Sequence, residues 1–321
     1  EGTHHHLHSP KQPQSSLSLY LLKKKKMVLA SPNPLKIEKI RDDIELPIID
    51  LHWDRTRAAV QIVRACEEFG FFKVINHGVP QEIISRMDRE AHEFFSRPGP
   101  DKQRAGPANP YGYGLKNIGL NGDIGELEYL LLQANAPYIS DKSKYISTDP
   151  ENFRCFGARA SQEFISIYVN HDPPLINQLY FRWRQLQREH RPPDGRAHTA
   201  RYGAAIGYVA AVKGLACEIL DMIGEVLSGA AHPTASVFSR LISDAQSDSL
   251  FRLNHYLPTC HPKIGFGEHT DPQILTLLRS NGVGGLQVST EDGVWVPVSP
   301  YPELAFCVNV GDVLQVGPTR L

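Results

Sequence analysis

His269 and Asp271 stand two residues apart in the stretch GFGEHTDPQ (265–273). On an extended chain, residues i and i+2 point to the same side, so this imidazole and this carboxylate can reach one ion. One nitrogen and one oxygen donor suit ferrous iron, in a site of two histidines and one carboxylate that leaves three positions open. The bare triplet is a weak signal, since about one H-x-D is expected by chance in a chain of ordinary composition. The sequence holds a second one, His52-Trp53-Asp54. That one falls where a strand gives way to a helix, and there Asp54 has a capping role. A further constellation precedes the first triplet in FRLNHY (251–256). Strand alternation puts Arg252, Asn254 and Tyr256 on one face and Phe251, Leu253 and His255 on the other. A tyrosine hydroxyl and a guanidinium on one face can hold carboxylates; a solvated strand face is the plainer alternative.

The elements around these residues are legible from periodicity. LPIIDL (46–51) reads as a strand, followed by a helix that starts at Asp54 and ends near Phe69, with Gly70 as its stop. FFKVINHGVP (71–80) reads as a strand closing in a turn, and residues 81–96 as a helix with Ile84, Met87, Ala91 and Phe95 on one side. Residues 98–125 are rich in Gly, Pro, Asn and Tyr and read as a long functional or mobile loop. ELEYLLL (126–132) reads as a strand, and 206–227 as a long helix whose stripe is Val209, Val212, Leu215, Ala216, Ile219, Ile223 and Val226. From 248 onward short strands follow one another: SLFRLNHYL, ILTLLRS, GLQVST, VWVPVS, LAFCVNV and DVLQV. Turn signals separate them, which is the mark of an antiparallel barrel or sandwich.

Composition narrows the function classes. A chain of 321 residues makes one large domain or two modest ones. With 34 basic and 35 acidic residues the net charge is −1, which argues against a nucleic-acid partner. Five scattered cysteines with no CxxC pair indicate neither a disulfide framework nor a zinc knuckle, and suit a reducing, cytoplasmic setting. Residues 1–26 read as a disordered leader. Their apolar run, Leu17 to Leu22, precedes Lys23–Lys26, the reverse of a secretory signal, and is too short to cross a membrane. His4, His5, His6 and His8 offer an alternative metal-binding cluster there. Residues 156–205 carry much of the arginine and interrupt their surroundings; they read as a helical excursion or lid, or as an insertion foreign to the fold.

The stretches FRLNHY, GFGEHTDPQ, LRSN (278–281), GGLQV (284–288), DGVWVPV (292–298) and VNVGDVLQV (308–316) resemble the plant 2-oxoglutarate- and iron-dependent dioxygenases. Among these they are most similar to the gibberellin 2-oxidases. ACEEFGFFKVINHGVP and NGDIGELEYLLL resemble the N-terminal region of the same family. The resemblance covers about 27–155 and 207–316. It implies an α+β fold, a double-stranded β-helix (jelly roll) with a helical N-terminal region. The divisions expected are a leader to 26, an N-terminal dioxygenase region over 27–155, an atypical insertion over 156–205, a helix over 206–247 and a jelly-roll domain over 248–321. It further implies Fe(II) on His269 and Asp271, 2-oxoglutarate held by Tyr256 with Asn254 beside it, and O2 as co-substrate, with ascorbate supportive. The implied reaction is 2β-hydroxylation of a gibberellin, which inactivates the hormone, with no nucleic-acid or membrane partner. Arg252 is our own addition to this set, as the partner of the gibberellin carboxylate.

The sequence also departs from that family. Its second histidine ligand, and the arginine that grips 2-oxoglutarate in an R-x-S context, lie beyond the H-x-D. Here no histidine follows His269, and GPTRL (317–321) leaves the pattern with Arg320 outside that context. His255 lies on the opposite strand face, and His261 in a turn remains as a stand-in. The expectation is a barrel lacking its last strands, with an exposed sheet edge, and weak or absent dioxygenase activity. The alternatives are a related dioxygenase acting on another small molecule, and a non-catalytic binding protein with this fold.

Overall fold

The computed structural model describes residues 26–30, 44–118, 125–148, 162–169, 204–228, 235–244, 247–257, 264–290, 293–301 and 304–316. Side-chain capping begins the first helix, α1 (Arg55–Glu68): Asp54 Oδ1 accepts from Thr56 N at 3.0 Å and Arg57 N at 3.2 Å. Gly70 ends it, since the chain turns there at φ 62° while Gly70 N still reaches the Ala65 and Cys66 carbonyls. The H-W-D triplet is thereby accounted for as a cap.

The helices gather on one side. α2 (Gln81–Phe95) turns Ile84, Met87, Ala91, Phe94 and Phe95 inward, and α5 (Ala204–Ser228) buries Val209, Val212, Leu215, Ala216, Ile219 and Ile223. α5 packs against α1, α2, α4 (Ala136–Ile146) and α6 (Val237–Ser243). The 3.6-residue spacing of these apolar positions is what gives each helix a face to bury.

Two sheets form the core of the molecule. The larger runs β2 (Ile48–Asp50), β3 (Phe71–Ile75), β12 (Phe306–Val310), β9 (Leu275–Ser280), β6 (Gln162–Val169), β7 (Leu250–Tyr256), β5 (Gly125–Gln133) and β4 (Gly112–Ile118), antiparallel throughout except for β2–β3. The smaller runs β11 (Trp295–Pro297), β10 (Leu286–Ser289), β1 (Lys26–Ala30) and β8 (Ile264–His269). One apolar cluster joins the helices to the outer face of the larger sheet. A second contains Phe71, Leu127, Tyr256 and Leu278 of the larger sheet with Leu286 and Val288 of the smaller, so it fills the space between them. This is the jelly roll with helices on one flank, an α+β fold.

Three local readings change. Residues 98–125 are not one loop: α3 (Gly99–Gln103) and β4 occupy much of them, with 119–124 outside the described residues. DVLQV forms the short helix α7 (Asp312–Val316), because the amides of Asp312 and Val313 are taken by the carbonyls of Asp271 and Gln273 rather than by a neighbouring strand. The block set aside at 156–205 also contributes a strand, and another begins at Lys26, the last residue of the expected leader. Lys26–Ala30 lies between β8 and β10, and Gln162–Val169 lies between β7 and β9. Interior places in both sheets are therefore filled. The remainder of the leader, and of 156–205 apart from Ala204 and Ala205, lies outside the described residues.

Candidate metal and carboxylate site

His269 closes β8, and Asp271 follows it at the mouth between the sheets. Asp271 is 4 % exposed, and its Oδ2 is fully engaged: Thr276 Oγ1 donates to it at 2.6 Å from β9, and Asn309 Nδ2 at 3.0 Å from β12. Its backbone carbonyl accepts from Asp312 N at 2.8 Å. Gly311 makes that approach feasible, since a Cβ there would run into the Gln273 carbonyl. Oδ1 is left as the outward oxygen.

The imidazole is prepared in the same manner. His269 Nδ1 lies 2.7 Å from the Gly267 carbonyl, which can only accept, so Nδ1 carries the proton and Nε2 keeps its lone pair. Nε2 and Asp271 Oδ1 are 3.7 Å apart. Two donors on one ion at about 2.1 Å each stand roughly 3 to 4 Å apart, so the pair fits a single cation. A histidine whose second nitrogen is tied to a carbonyl, beside a carboxylate whose second oxygen is tied to donors, is the arrangement that orients metal ligands. Among the described residues no third His, Cys, Asp or Glu joins them to make a cluster of three. His255 is on the opposite face, as alternation requires, with Nδ1 3.1 Å from Glu128 Oε2. His4, His5, His6, His8 and His261 lie outside the described residues.

The second constellation stands beside the first. Tyr256 is buried in the cluster between the sheets. Arg252 Nε donates to Asn254 Oδ1 at 2.8 Å, and the guanidinium lies 4.7 Å from the Tyr129 ring centre and 5.4 Å from that of Phe266. The Phe266 ring meets the His269 imidazole edge-to-face at 4.3 Å. A single phenyl ring thus links Arg252 to His269, and Phe266 also packs on the cluster that holds Tyr256 in the space between the sheets.

Sequence reasoning missed the partners behind that space. Thr276 and Asn309 fix Asp271 but sit 5 and 38 positions from it. Behind β5 and β7, Glu128 gathers three donors: Lys102 Nζ at 2.6 Å, Tyr113 OH at 2.8 Å and His255. Burial alone would raise the Glu128 carboxyl, but the hydrogen bonds from His255, Lys102 and Tyr113 outweigh it and hold it down at about 2. The visible signal was a glutamate in alternation with the inward Leu130 and Leu132.

Comparison with known proteins gives the family. Residues 46–126 match the family described as non-haem dioxygenase in morphine synthesis N-terminal, and residues 247–320 match the 2OG-Fe(II) oxygenase superfamily. Gibberellin 2-beta-dioxygenase 4 of Arabidopsis thaliana is 44 % identical over 289 residues, covering 85 % of this chain and 71 % of that protein. Gibberellin 2-beta-dioxygenase 1 of Pisum sativum is 39 % identical over 303 residues, covering 90 % and 75 %. Among solved structures, the fold resembles the Arabidopsis thaliana dioxygenase for auxin oxidation 1 bound to 2-oxoglutarate, with a TM-score of 0.57, 22 % identity and coverage of 84 % of this chain and 81 % of that one. It also resembles the dioxygenase for auxin oxidation in rice, with a TM-score of 0.55, 22 % identity and coverage of 85 % and 73 %.

Proposed function

The chain belongs to the gibberellin 2-beta-dioxygenase family of 2OG-Fe(II) oxygenases, and from that premise we propose that it acts on gibberellins by 2β-hydroxylation, the step that inactivates the hormone. The observation that carries the oxygenase reading is the pair of outward donors, His269 Nε2 and Asp271 Oδ1, 3.7 Å apart with their other atoms already tied. These two would hold the ferrous ion. When bound, iron with 2-oxoglutarate and O2 supplies the power to insert one oxygen atom into a C–H bond, with 2-oxoglutarate leaving as succinate and carbon dioxide.

The chain's own residues orient and enclose. Thr276 and Asn309 keep Asp271 Oδ1 turned toward the ion, and Gly267 fixes the imidazole tautomer. Tyr256 and Asn254 would hold 2-oxoglutarate, offering a phenol and an amide to it. Leu127, Leu278, Leu286 and Val288 pack with Tyr256 and Phe266, so the surroundings of these groups are apolar, which suits a hydrocarbon skeleton. Among the described residues no helix is long and apolar enough to cross a membrane. The thiols of Cys66, Cys217 and Cys307 are free, and with the near-neutral charge they fit a cytoplasmic enzyme of a small-molecule substrate.

The test is incubation of the 321-residue protein with ferrous iron, 2-oxoglutarate, O2 and a gibberellin, with mass spectrometry for a product bearing one added oxygen and calorimetry for binding. Product identity is the readout. Hydroxylated gibberellin supports the reading. Gibberellin bound but never hydroxylated replaces it with a binding protein of this fold. Oxidation of a different small molecule, with gibberellin untouched, moves the chain to another oxygenase activity.

A further inference from the structure

Arg252 is a half-buried cation whose Nε alone, among the described residues, meets a hydrogen-bond acceptor. Its Nε is committed to Asn254 Oδ1, and Tyr129 and Phe266 flank the guanidinium. Among the described residues no carboxylate pairs with it. Glu128, on β5 next to Tyr129, points to the other side of the sheet and is taken up by Lys102, Tyr113 and His255. Asp271 Oδ2 is taken up by Thr276 and Asn309. A guanidinium fixed at Nε offers its two terminal amino groups as a fork, the shape that matches a carboxylate. Packing between two aromatic rings removes the freedom such a long side chain would otherwise lose on binding.

Position gives the fork its use. Phe266 touches Arg252 on one side and the His269 imidazole on the other. A carboxylate held on Arg252 would therefore stand one phenyl ring away from His269, the neighbour of Asp271 in the candidate metal pair. We propose that Arg252 is the substrate's carboxylate anchor. It fixes a single-carboxylate, otherwise apolar molecule by its acid group, so that a C–H bond of the skeleton faces the metal pair. This rests on the oxygenase reading and narrows its substrate to an acid. The other source of the same chemistry is the distal carboxylate of 2-oxoglutarate.

The experiment compares a gibberellin with its methyl ester, and 2-oxoglutarate, by calorimetry on the full chain and on Arg252→Gln and Arg252→Lys. In the unaltered protein the free acid should bind about 10- to 100-fold more tightly than the ester, the range for a hydrogen bond to a charged group. Arg252→Gln should erase that preference and Arg252→Lys keep part of it, while 2-oxoglutarate affinity moves by less than about threefold, a negligible difference on the scale of one charged contact. Acid preference surviving in Arg252→Gln overturns the proposal. So does a loss confined to 2-oxoglutarate, which would assign Arg252 to the co-substrate. The acid–ester comparison in the unaltered protein needs no variant to fold. If gibberellin fails to bind but another apolar acid shows the Arg252-dependent preference, the gibberellin reading falls and the anchor stands. Gibberellin bound with acid and ester alike sinks the anchor alone.

Discussion

Asp271 has one oxygen for the protein and one for a ligand, and Thr276 and Asn309 make that division. Both donate to Oδ2, so the carboxylate cannot rotate to offer it outward without losing two hydrogen bonds. Asn309→Ala removes one of them and leaves the carboxylate freer to turn. Loss of such a supporting group is expected to cost about 10- to 100-fold in metal affinity, with about 1–2 kcal/mol of stability from the lost hydrogen bond and packing. Cobalt(II) titration followed by its visible absorption checks the first, and thermal melts the second; unchanged affinity would remove Asn309 from the site. Asp271→Asn and His269→Ala should abolish binding in the same assay. At this scale the sequence was half transparent. His269 and Asp271 could be paired because two positions of extended chain put both on one side, and Arg252 was grouped with Asn254 and Tyr256 for the same reason. Asn309 and Thr276 could not be assigned, because only the folded register of β9 and β12 brings them to Asp271.

Glu128 ties five elements together: it lies on β5 and takes donors from α3, β4 and β7, while Lys102 Nζ also reaches the Phe95 carbonyl at the end of α2 at 3.2 Å. The opposite face of β5 and β7 carries Tyr129 and Arg252, so this buried network backs the wall of the candidate site. Glu128→Gln keeps the shape but leaves Lys102 as a buried cation without its counter-charge, a class of change that costs about 3–5 kcal/mol. The pH dependence has a definite sign. The Glu128 carboxyl lies at about 2 in the folded chain against an ordinary 4.5, so it stabilises above 4.5 and loses that contribution as pH falls through 2. Urea melts of the two proteins should therefore differ most at neutral pH and converge as pH drops below 4.5; a constant gap would show that folding leaves the Glu128 carboxyl where it lies in the unfolded chain. Helices were the easiest elements to read, since α1, α2 and α5 carry uninterrupted apolar stripes. DVLQV was misread because five residues with apolar positions suit either a strand or a buried helical turn, and only the Asp271 and Gln273 carbonyls decide. The Glu128 network spans positions 102 to 255, and no local pattern reports such a pairing.

The larger sheet takes an interior strand from a block that the chain pattern alone would have set aside, and the smaller takes one that starts at the last leader residue. β1 comes from the edge of the leader and β6 from the arginine-rich block, yet each sits inside a sheet with a partner on both sides. QEFISIYV is rich in β-branched and aromatic residues, which favour a strand. What the sequence could not say is which strands it would join, because β7 and β9 lie more than eighty positions away and pairing is a property of the whole fold. The consequence is testable. In β6, Ile165 pairs with Leu253 of β7 on one side and with Arg279 of β9 on the other. A proline in an interior strand removes an N–H from the ladder and forces the chain off its path, at a cost of about 3 kcal/mol or more. Ile165→Pro should therefore lower the midpoint of urea unfolding by that amount. It should also speed hydrogen exchange at the amides of β7, the strand that carries Arg252, Asn254 and Tyr256. If Ile165→Pro unfolds with the unaltered protein and β7 stays protected, β6 is not part of the cooperative sheet, and the strands bearing the candidate site hold their register without it.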